Sequence, residues 1–147
     1  MAAVSDELHT TIAERLRGVG QRYTTQRRSL VELLAESRNP LSIPDVLVLD
    51  RELAQSSVYR NLAVLAQAGA VHRVVTTDDF ARYELAEDLT HHHHHLICSA
   101  CGGVEDFTAS AQVERTVARA ITEVSSATGF TPEHHRLDLI GICSACA

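Results

Sequence analysis

The sequence contains no lysine, and only four of its 147 residues are cysteines. All 13 basic side chains are therefore arginines, whose planar guanidinium groups suit bidentate contacts with phosphates or base edges. Because no apolar run follows the N-terminal residues, the sequence predicts no signal peptide and no membrane span, and places the protein in the cytoplasm. A His-Glu-x-x-His motif is also absent, which argues against a zinc hydrolase.

Charge is distributed unevenly along the chain, whose net charge is −6. Residues 1–86 carry ten arginines and eleven acidic residues, whereas residues 87–147 carry three and eight. The overall charge argues against bulk attraction to nucleic acid, but the arginines concentrate in the first part, with five between Arg15 and Arg28. With 45% hydrophobic residues, the chain can form one domain or two small ones.

Four segments before Gly69 place apolar residues at helical spacing. The third helix is predicted to begin at Ser42, whose side chain can form a capping box with Asp45. The fourth is predicted to be capped by Ser56 or Ser57 and to end at Gly69. The first two helices are predicted to end near Gly18–Gly20 and Asn39-Pro40.

Two β-rich runs, residues 71–76 and 81–85, follow the helices and are joined by a polar turn, so they predict a hairpin. Helices followed by such a ribbon are typical of a winged helix-turn-helix, although a small helical bundle explains the periodicity equally well. The start of the fourth helix favours the first interpretation. It exposes Tyr59 and Arg60 in its first turns, where recognition helices contact bases.

Two Cys-x-x-Cys pairs predict a tetrahedral zinc site, because each pair can turn two thiolates toward one ion. The alternatives, two disulfides or four unrelated core cysteines, need an oxidising compartment or a coincidence of spacing. The four candidate ligands are Cys98, Cys101, Cys143 and Cys146.

Five consecutive histidines, residues 91–95, lead directly into the first cysteine pair. Such a run resembles an expression tag, but it is internal and continues into apolar residues as a strand does. In a strand, alternate side chains point to opposite faces, so His92 and His94 would lie on one face and His91, His93 and His95 on the other. One short strand could thus supply pairs of nitrogen ligands to two metal ions. A strand at 104–107, a helix ending near Gly129 and a last strand follow, with too little core to be stable without zinc or a partner subunit.

Five motifs resemble those of the ferric uptake regulator family, which comprises iron, zinc, nickel, manganese and peroxide sensors. The resemblance extends over nearly the whole chain. The motifs are Tyr-Thr-Thr-Gln-Arg (23–27), Ser-Val-Tyr-Arg-Asn-Leu (57–62), Arg-Tyr-Glu-Leu (82–85), the histidine run with its cysteine pair (91–102) and His-Arg-Leu-Asp-Leu-Ile-Gly-Ile-Cys (135–143).

The resemblance implies an α+β fold with two domains. Residues 1–86 would form a winged helix-turn-helix DNA-binding domain, and residues 87–147 a small metal-binding dimerisation domain with a three-stranded sheet. Tyr59 and Arg60 would contact bases and phosphates, while Arg22 and Arg27 match positions near the DNA backbone or minor groove.

The resemblance also implies three metal sites. The structural zinc site would use the four cysteines. A sensory site at the hinge between the domains would use His72, Glu84, His93 and His95. A third site in the dimerisation domain would use His92, His94, Glu114 and His135.

Two departures from the family pattern bear on the sensory metal. Many members carry a sensor histidine in the loop before the third helix, where this sequence has Pro40, so His72 is expected to replace it. Glu84 stands where zinc sensors commonly have cysteine, which favours a harder ion such as Fe²⁺. The all-histidine run favours Zn²⁺, as in a zinc uptake regulator. The predicted regulatory metal is therefore Zn²⁺ or Fe²⁺, with Mn²⁺ and Ni²⁺ as alternatives.

The resulting hypothesis is a homodimeric, metal-responsive transcriptional repressor that binds palindromic double-stranded operator DNA. It is not an enzyme, and neither a membrane nor a small-molecule substrate is expected as a partner. The alternatives are a zinc-dependent hydrolase, which needs an open metal site and a general base, and a cytoplasmic metal buffer or chaperone, which needs the histidines but not the helix with Tyr59 and Arg60.

Overall fold

The computed structural model describes residues 4–147. Residues 1–3, on which the predicted absence of a signal peptide partly rests, lie outside this range. The described chain contains five α-helices, one short 3-10 helix and two three-stranded sheets, so the predicted α+β fold class is confirmed. The elements are α1 Asp6–Gly18, α2 Thr25–Glu36, β1 Leu41–Ser42, α3 Ile43–Leu49, α4 Gln55–Gln67, β2 Val71–Val74, β3 Arg82–Leu85, the 3-10 helix Glu87–Leu89, β4 His94–Cys98, β5 Val104–Phe107, α5 Ala111–Thr128 and β6 Asp138–Gly141.

Helices α1, α2 and α4 share one apolar core. Helical spacing places Ile12 and Leu16 on the same face of α1, and both are completely buried. Leu30 of α2 and Leu62 of α4 are buried against them. Because this core uses the apolar face of α4, the opposite face, which carries Tyr59, is exposed to solvent.

Helix α3 begins with the predicted capping box. The Ser42 hydroxyl accepts the Asp45 N–H at 3.2 Å, and the Asp45 carboxylate accepts the Ser42 N–H at 2.9 Å. These two bonds satisfy backbone donors that the helix cannot pair internally, and they fix where α3 starts.

The prediction that Ser56 or Ser57 caps α4 is wrong. The N-cap residue is Ala54, and its carbonyl oxygen accepts the Val58 N–H at 3.0 Å, so both serines already lie inside the first turn. Alanine offers no side-chain acceptor, and no side chain in the described chain caps this end. The free N–H groups carry partial positive charge, which suits an anion such as a phosphate group.

The first sheet has the strand order β1-β3-β2. The predicted hairpin is formed by β2 and β3, which pair antiparallel with His72 opposite Glu84. We call residues 71–85 the wing. Strand β1 pairs with β3 but is not apparent from sequence, because two residues are too few to show an alternating pattern.

The second sheet has the strand order β5-β4-β6, so the histidine strand is central. Strand β4 is antiparallel to β5 and parallel to β6. In these registers His95 lies opposite Asp106 on one side and Asp138 on the other. The predicted three strands and one helix of this half are therefore present.

Apolar side chains of α5 and β6 in the second half are exposed. No residue of α5 is buried, and Val113 and Val124 are 42% and 57% exposed. Leu139 and Ile140 of β6 are 51% and 65% exposed. Exposed apolar side chains in this number are typical of a protein–protein interface.

The two halves contact each other through the wing and the connecting segment. Val74 of the wing packs against Ile97 and Val104 of the second sheet in a small buried cluster. The guanidinium group of Arg15 pairs with Asp88 in the 3-10 helix. The domain boundary predicted after residue 86 falls at the start of this helix and stays a prediction. None of the helices within residues 4–147 combines the length and apolar character needed to cross a membrane.

Candidate metal centres and nucleic-acid interface

The first cluster consists of the four cysteines, whose sulfur atoms lie within 4.8 Å of one another. Cys98 ends β4, and the turn after it brings Cys101 back toward the segment that follows β6. There the Sγ atoms of Cys101 and Cys143 are 3.9 Å apart. The structure thus brings together the four residues predicted to hold zinc, and all four are free thiols rather than disulfides.

The thiols of this cluster differ in acidity. The backbone N–H groups of Cys101 and Cys143 point at the Cys98 Sγ at 3.5 and 3.4 Å and lower the pKa of Cys98 to about 6. Hydrogen bonding with Cys143 and the other thiols raises the pKa of Cys146 to about 12. The Cys98 thiolate therefore forms readily, whereas hydrogen bonding among the thiols favours the protonated form of Cys146. Four converging sulfur ligands with this electrostatics fit a structural zinc ion.

The second cluster joins the wing to the second sheet. The Glu84 carboxylate of β3 accepts a hydrogen bond from His93 Nε2 at 2.9 Å and from His95 Nε2 at 3.0 Å. Asp106 of β5 completes the group, with its carboxylate oxygens 3.6 Å from both Nε2 atoms. All four potential ligand atoms lie within 4.8 Å of one another.

His72 is not brought into this cluster, contrary to the expectation that it replaces a loop histidine. It lies on β2 directly opposite Glu84, but its ring nitrogens are not among the four ligand atoms that lie within 4.8 Å of one another. Burial lowers the pKa of His72, so its ring stays neutral beside the cluster. The loop before α3 instead approaches through Asn39, whose side-chain oxygen accepts the Asp106 N–H at 3.2 Å.

Asp106 is a candidate ligand that the sequence analysis missed. The signal was present in the strand pattern, because a residue directly opposite His95 in an antiparallel pair shares its face. Sequence alone does not give that register, which depends on the length of the turn between β4 and β5.

The electrostatics and hydrogen bonding of the second cluster fit a bound cation. Burial raises the pKa of Asp106, and the neighbouring Glu84 carboxylate raises it further. Burial also disfavours ionisation of Glu84, but hydrogen bonds from His95 and His93 outweigh it and lower the pKa of this carboxyl. Asp106 Oδ1 is buried without a hydrogen-bond partner among the described residues. A divalent cation among these atoms would supply the missing partner.

The third cluster comprises the four residues predicted for it, again within 4.8 Å of one another. Glu114, in the first turn of α5, lies 2.5 Å from His94 Nε2 and 3.3 Å from the Nε2 atoms of His92 and His135. The hydrogen bond from His94 lowers the pKa of Glu114. His135 Nε2 is buried without a hydrogen-bond partner in residues 4–147, which fits a metal ligand.

The histidine run serves two faces, as strand alternation predicts. The rings of His93 and His95 are 5.1 Å apart on the face toward the wing, and those of His92 and His94 are 4.7 Å apart on the other. The alternation extends to residues 92 and 93, which precede β4. Glu87, which sequence analysis did not single out, contacts His92 Nδ1 and leaves Nε2 facing the third cluster.

The four residues predicted to contact DNA lie in the first half. Tyr59 is 62% exposed on α4, and Arg60 is exposed beside it. Arg27 is held in place, because its guanidinium group donates to Asn61 Oδ1 at 3.0 Å and to the Arg22 carbonyl oxygen at 2.6 Å. Arg22 itself is exposed next to this contact.

Comparison with known proteins decides the family. A model described as the ferric uptake regulator family matches residues 18–140. The chain belongs to the ferric uptake regulator family. It is therefore a metal-sensing transcriptional repressor and not an enzyme.

Individual relatives in the family resemble the chain over most of its length. The peroxide operon regulator of Bacillus subtilis (strain 168) is 31% identical over 140 residues, which are 91% of this chain and 90% of that protein. The Helicobacter pylori ferric uptake regulator Fur, which has three functional metal-binding sites, matches with a TM-score of 0.73 at 27% identity and covers 99% of this chain and 97% of its own. A zinc uptake regulator in complex with zinc and DNA matches with a TM-score of 0.55 at 26% identity, with 97% and 96% covered. These matches support the predicted repressor and not the alternative hydrolase or metal buffer.

Proposed function

We propose that the protein is a cytoplasmic homodimeric repressor that binds palindromic double-stranded operator DNA when the Glu84, His93, His95 and Asp106 cluster holds a divalent metal. The main support for this proposal is that the four ligands come from both halves of the chain. Glu84 belongs to the wing, whereas His95 and Asp106 belong to the second sheet and His93 directly precedes its strand β4. The cluster is therefore complete only when the two halves lie close together.

The ligands of this cluster link metal binding to DNA binding. Separating the wing from the second sheet removes Glu84 from the other three ligands, so binding at all four favours the closed arrangement. A closed arrangement fixes the distance between the two recognition helices of a dimer, and that distance must match the half-site spacing of the operator. By thermodynamic linkage, operator DNA must then tighten metal binding in return.

The donor atoms bear on which metal is sensed. Two imidazole nitrogens and two carboxylate oxygens, with no thiolate, form a harder set than the predicted set that included His72. We propose Fe²⁺ or Zn²⁺ at this site, with Fe²⁺ favoured by the second carboxylate, and Zn²⁺ at the four cysteines. Mn²⁺ and Ni²⁺ are the competitors that a titration must include.

Two further proposals complete the assignment. The third cluster, with three imidazoles and one carboxylate, would hold a second regulatory ion. The exposed apolar residues of α5 and β6 would contribute to the dimer interface, because contact with a second copy would remove them from water.

The decisive experiment is a binding titration of operator duplex with protein stripped of regulatory metal but retaining the cysteine-bound zinc. Fluorescence anisotropy should show saturable binding that one of Fe²⁺, Zn²⁺, Mn²⁺ or Ni²⁺ strengthens, and a scrambled duplex should not reproduce it. Affinity independent of all four metals would contradict the proposal.

Arg60→Ala is expected to weaken operator binding by about 1–3 kcal/mol while metal content and dimerisation stay unchanged. Arg60 is exposed beside the uncapped start of α4, where phosphates and base edges are reached together. If Arg60 contacts a phosphate group, the slope of log affinity against log salt concentration should also decrease in magnitude by about one. Arg119→Ala is the matched control, because it removes the same charge from the exposed surface of α5. Equal weakening by the two substitutions would show that α4 is not the reading helix.

Metal binding at the second cluster is expected to weaken as pH falls, beginning above about pH 6.5, the ordinary imidazole pKa. Burial lowers the pKa of His93, but hydrogen bonds with the His91 carbonyl oxygen and the Glu84 carboxylate raise it overall. Burial likewise lowers the pKa of His95, and Glu84 raises it overall. A raised pKa keeps each ring protonated to higher pH, so the metal must displace those protons. Calorimetry in buffers of different ionisation enthalpy should detect proton release at about pH 7, and its absence would be inconsistent with these shifts.

A further inference from the structure

The turn after Cys98 lies directly against the tip of the wing. We call residues 98–103 the knuckle turn and residues 75–81 the wing loop. Gly102 of the knuckle turn has a φ of +74°, and a Cβ atom built on it would overlap the Asp78 carboxylate. Glycine is therefore required there for two reasons, the left-handed backbone and the close approach of the wing.

A hydrogen bond and an apolar contact connect the same two segments. The Thr77 hydroxyl donates to the Cys98 carbonyl oxygen at 3.3 Å. Below this contact, Val74 is completely buried against Ile97 and Val104, which flank the knuckle turn. The contact thus combines close packing at Gly102, one hydrogen bond and a small buried apolar cluster.

Hydrogen bonds to Asp78 hold the wing loop in the conformation that contacts Gly102. The Arg82 guanidinium group donates to both Asp78 oxygens at 2.7 and 3.0 Å, and these bonds hold the pKa of Asp78 at about 2. The Thr76 hydroxyl and the Phe80 N–H also donate to Asp78 Oδ1, at 2.8 and 3.1 Å. A carboxylate fixed by a bidentate pair presents a defined surface to Gly102 rather than a mobile side chain.

We propose that the knuckle turn of the four-cysteine cluster is a docking platform for the wing, so that Gly102 and Thr77 are positioning residues for DNA binding. The proposal rests on the repressor function proposed above. The platform holds the wing against the second sheet without regulatory metal, and it therefore sets how much regulatory metal is needed to populate the closed arrangement. The four cysteines would then fix the position of the wing as well as the fold of the second half.

The strength of this contact is expected to set the apparent affinity for the regulatory metal, because it sets the fraction of protein that is closed before metal binds. A metal that binds both arrangements equally shifts nothing, and the apparent affinity falls with the fraction of protein that is closed beforehand. Loosening the platform lowers that fraction, so the concentration of regulatory metal at half-maximal DNA binding should rise by the same factor.

The test is hydrogen–deuterium exchange of the wing loop in the zinc-loaded full chain, without DNA or regulatory metal. Thr77→Val, which keeps the side-chain shape, is expected to raise exchange about 2- to 10-fold, as loss of one hydrogen bond does. Gly102→Ala is expected to raise it about 10-fold or more, because the added methyl group pushes the wing away. The metal concentration for half-maximal operator binding should rise in parallel.

Gly129→Ala is the matched control. Gly129 has a φ of +70° and no atom within 4 Å of a built Cβ, so this substitution brings the same backbone strain without touching the wing. Zinc content is measured in every variant, and Thr77→Val tests docking even if Gly102→Ala loses zinc. Unchanged wing exchange in Thr77→Val, or equal exchange in the two glycine variants, would overturn the platform. If the wild-type protein binds no operator, the repressor proposal is contradicted. The exchange measurements would still test the contact between the wing loop and the knuckle turn, because they are made without DNA.

Discussion

Cys98→Ser is expected to unfold the second half of the protein or to dissociate the dimer. The apolar core of that half is small, because α5 has no buried residue and only Ile97, Cys98 and Val104 are buried apolar positions. Structural zinc in small sites contributes on the order of 10 kcal/mol to folding, which is comparable to the whole stability of a typical domain. Loss of one thiolate should therefore remove most of the stability of this half.

The first half should stay folded in the same variant. Its core of α1, α2 and α4 includes none of the residues around the cysteines. Circular dichroism should then show partial loss of helix, and sedimentation should show a monomer. Ser144→Ala, beside Cys143 but exposed and outside the sulfur cluster, is the control and should match the wild type. A Cys98→Ser protein that remains dimeric with full thermal stability would refute the structural role of zinc.

Local rules predicted the elements and most of the candidate ligands. Helical spacing identified α1 and α2, and the Ser42 capping box located the start of α3 because that signal lies within four residues of sequence. The alternation of the histidine run separated its two faces because the strand period does not depend on tertiary structure. The cysteine pairs converge because each is short enough to bind one ion from a single turn.

The failures have non-local causes. Asp106 enters the second cluster through its register with His95, and His72 is left out although it lies opposite Glu84, so both outcomes depend on how the two sheets meet. Strand β1 exists only through its pairing with β3. Ala54 begins α4 although it cannot cap, and the resulting free N–H groups lie on the face assigned to DNA. Departures from local rules of this kind tend to occur at functional sites.

His93→Ala is expected to abolish the metal-induced gain in DNA affinity while leaving the fold intact. Its ring contacts Glu84 across the two halves, and the four cysteines proposed to hold structural zinc are untouched. Moving a two-state equilibrium from 1:99 to 99:1 requires about 5.5 kcal/mol of preference for one state, and losing one of four ligands removes a large part of it. Operator binding should therefore become weak and independent of regulatory metal.

The matched control is the adjacent residue on the opposite face. His92→Ala removes one ring from the third cluster, and because His92 is exposed, the substitution leaves no cavity. It should retain most of the switch, with a lower sensitivity to metal. His94→Ala acts on the same cluster but should also lower thermal stability, since His94 is only 2% exposed and its removal leaves a void. Anisotropy titrations of the three variants against one duplex, together with metal analysis, distinguish these outcomes. An equal loss of the metal-induced gain in DNA affinity in His93→Ala and His92→Ala would contradict the assignment of the two strand faces to separate sites. Strand alternation places these neighbours on opposite faces, so the two variants are expected to differ.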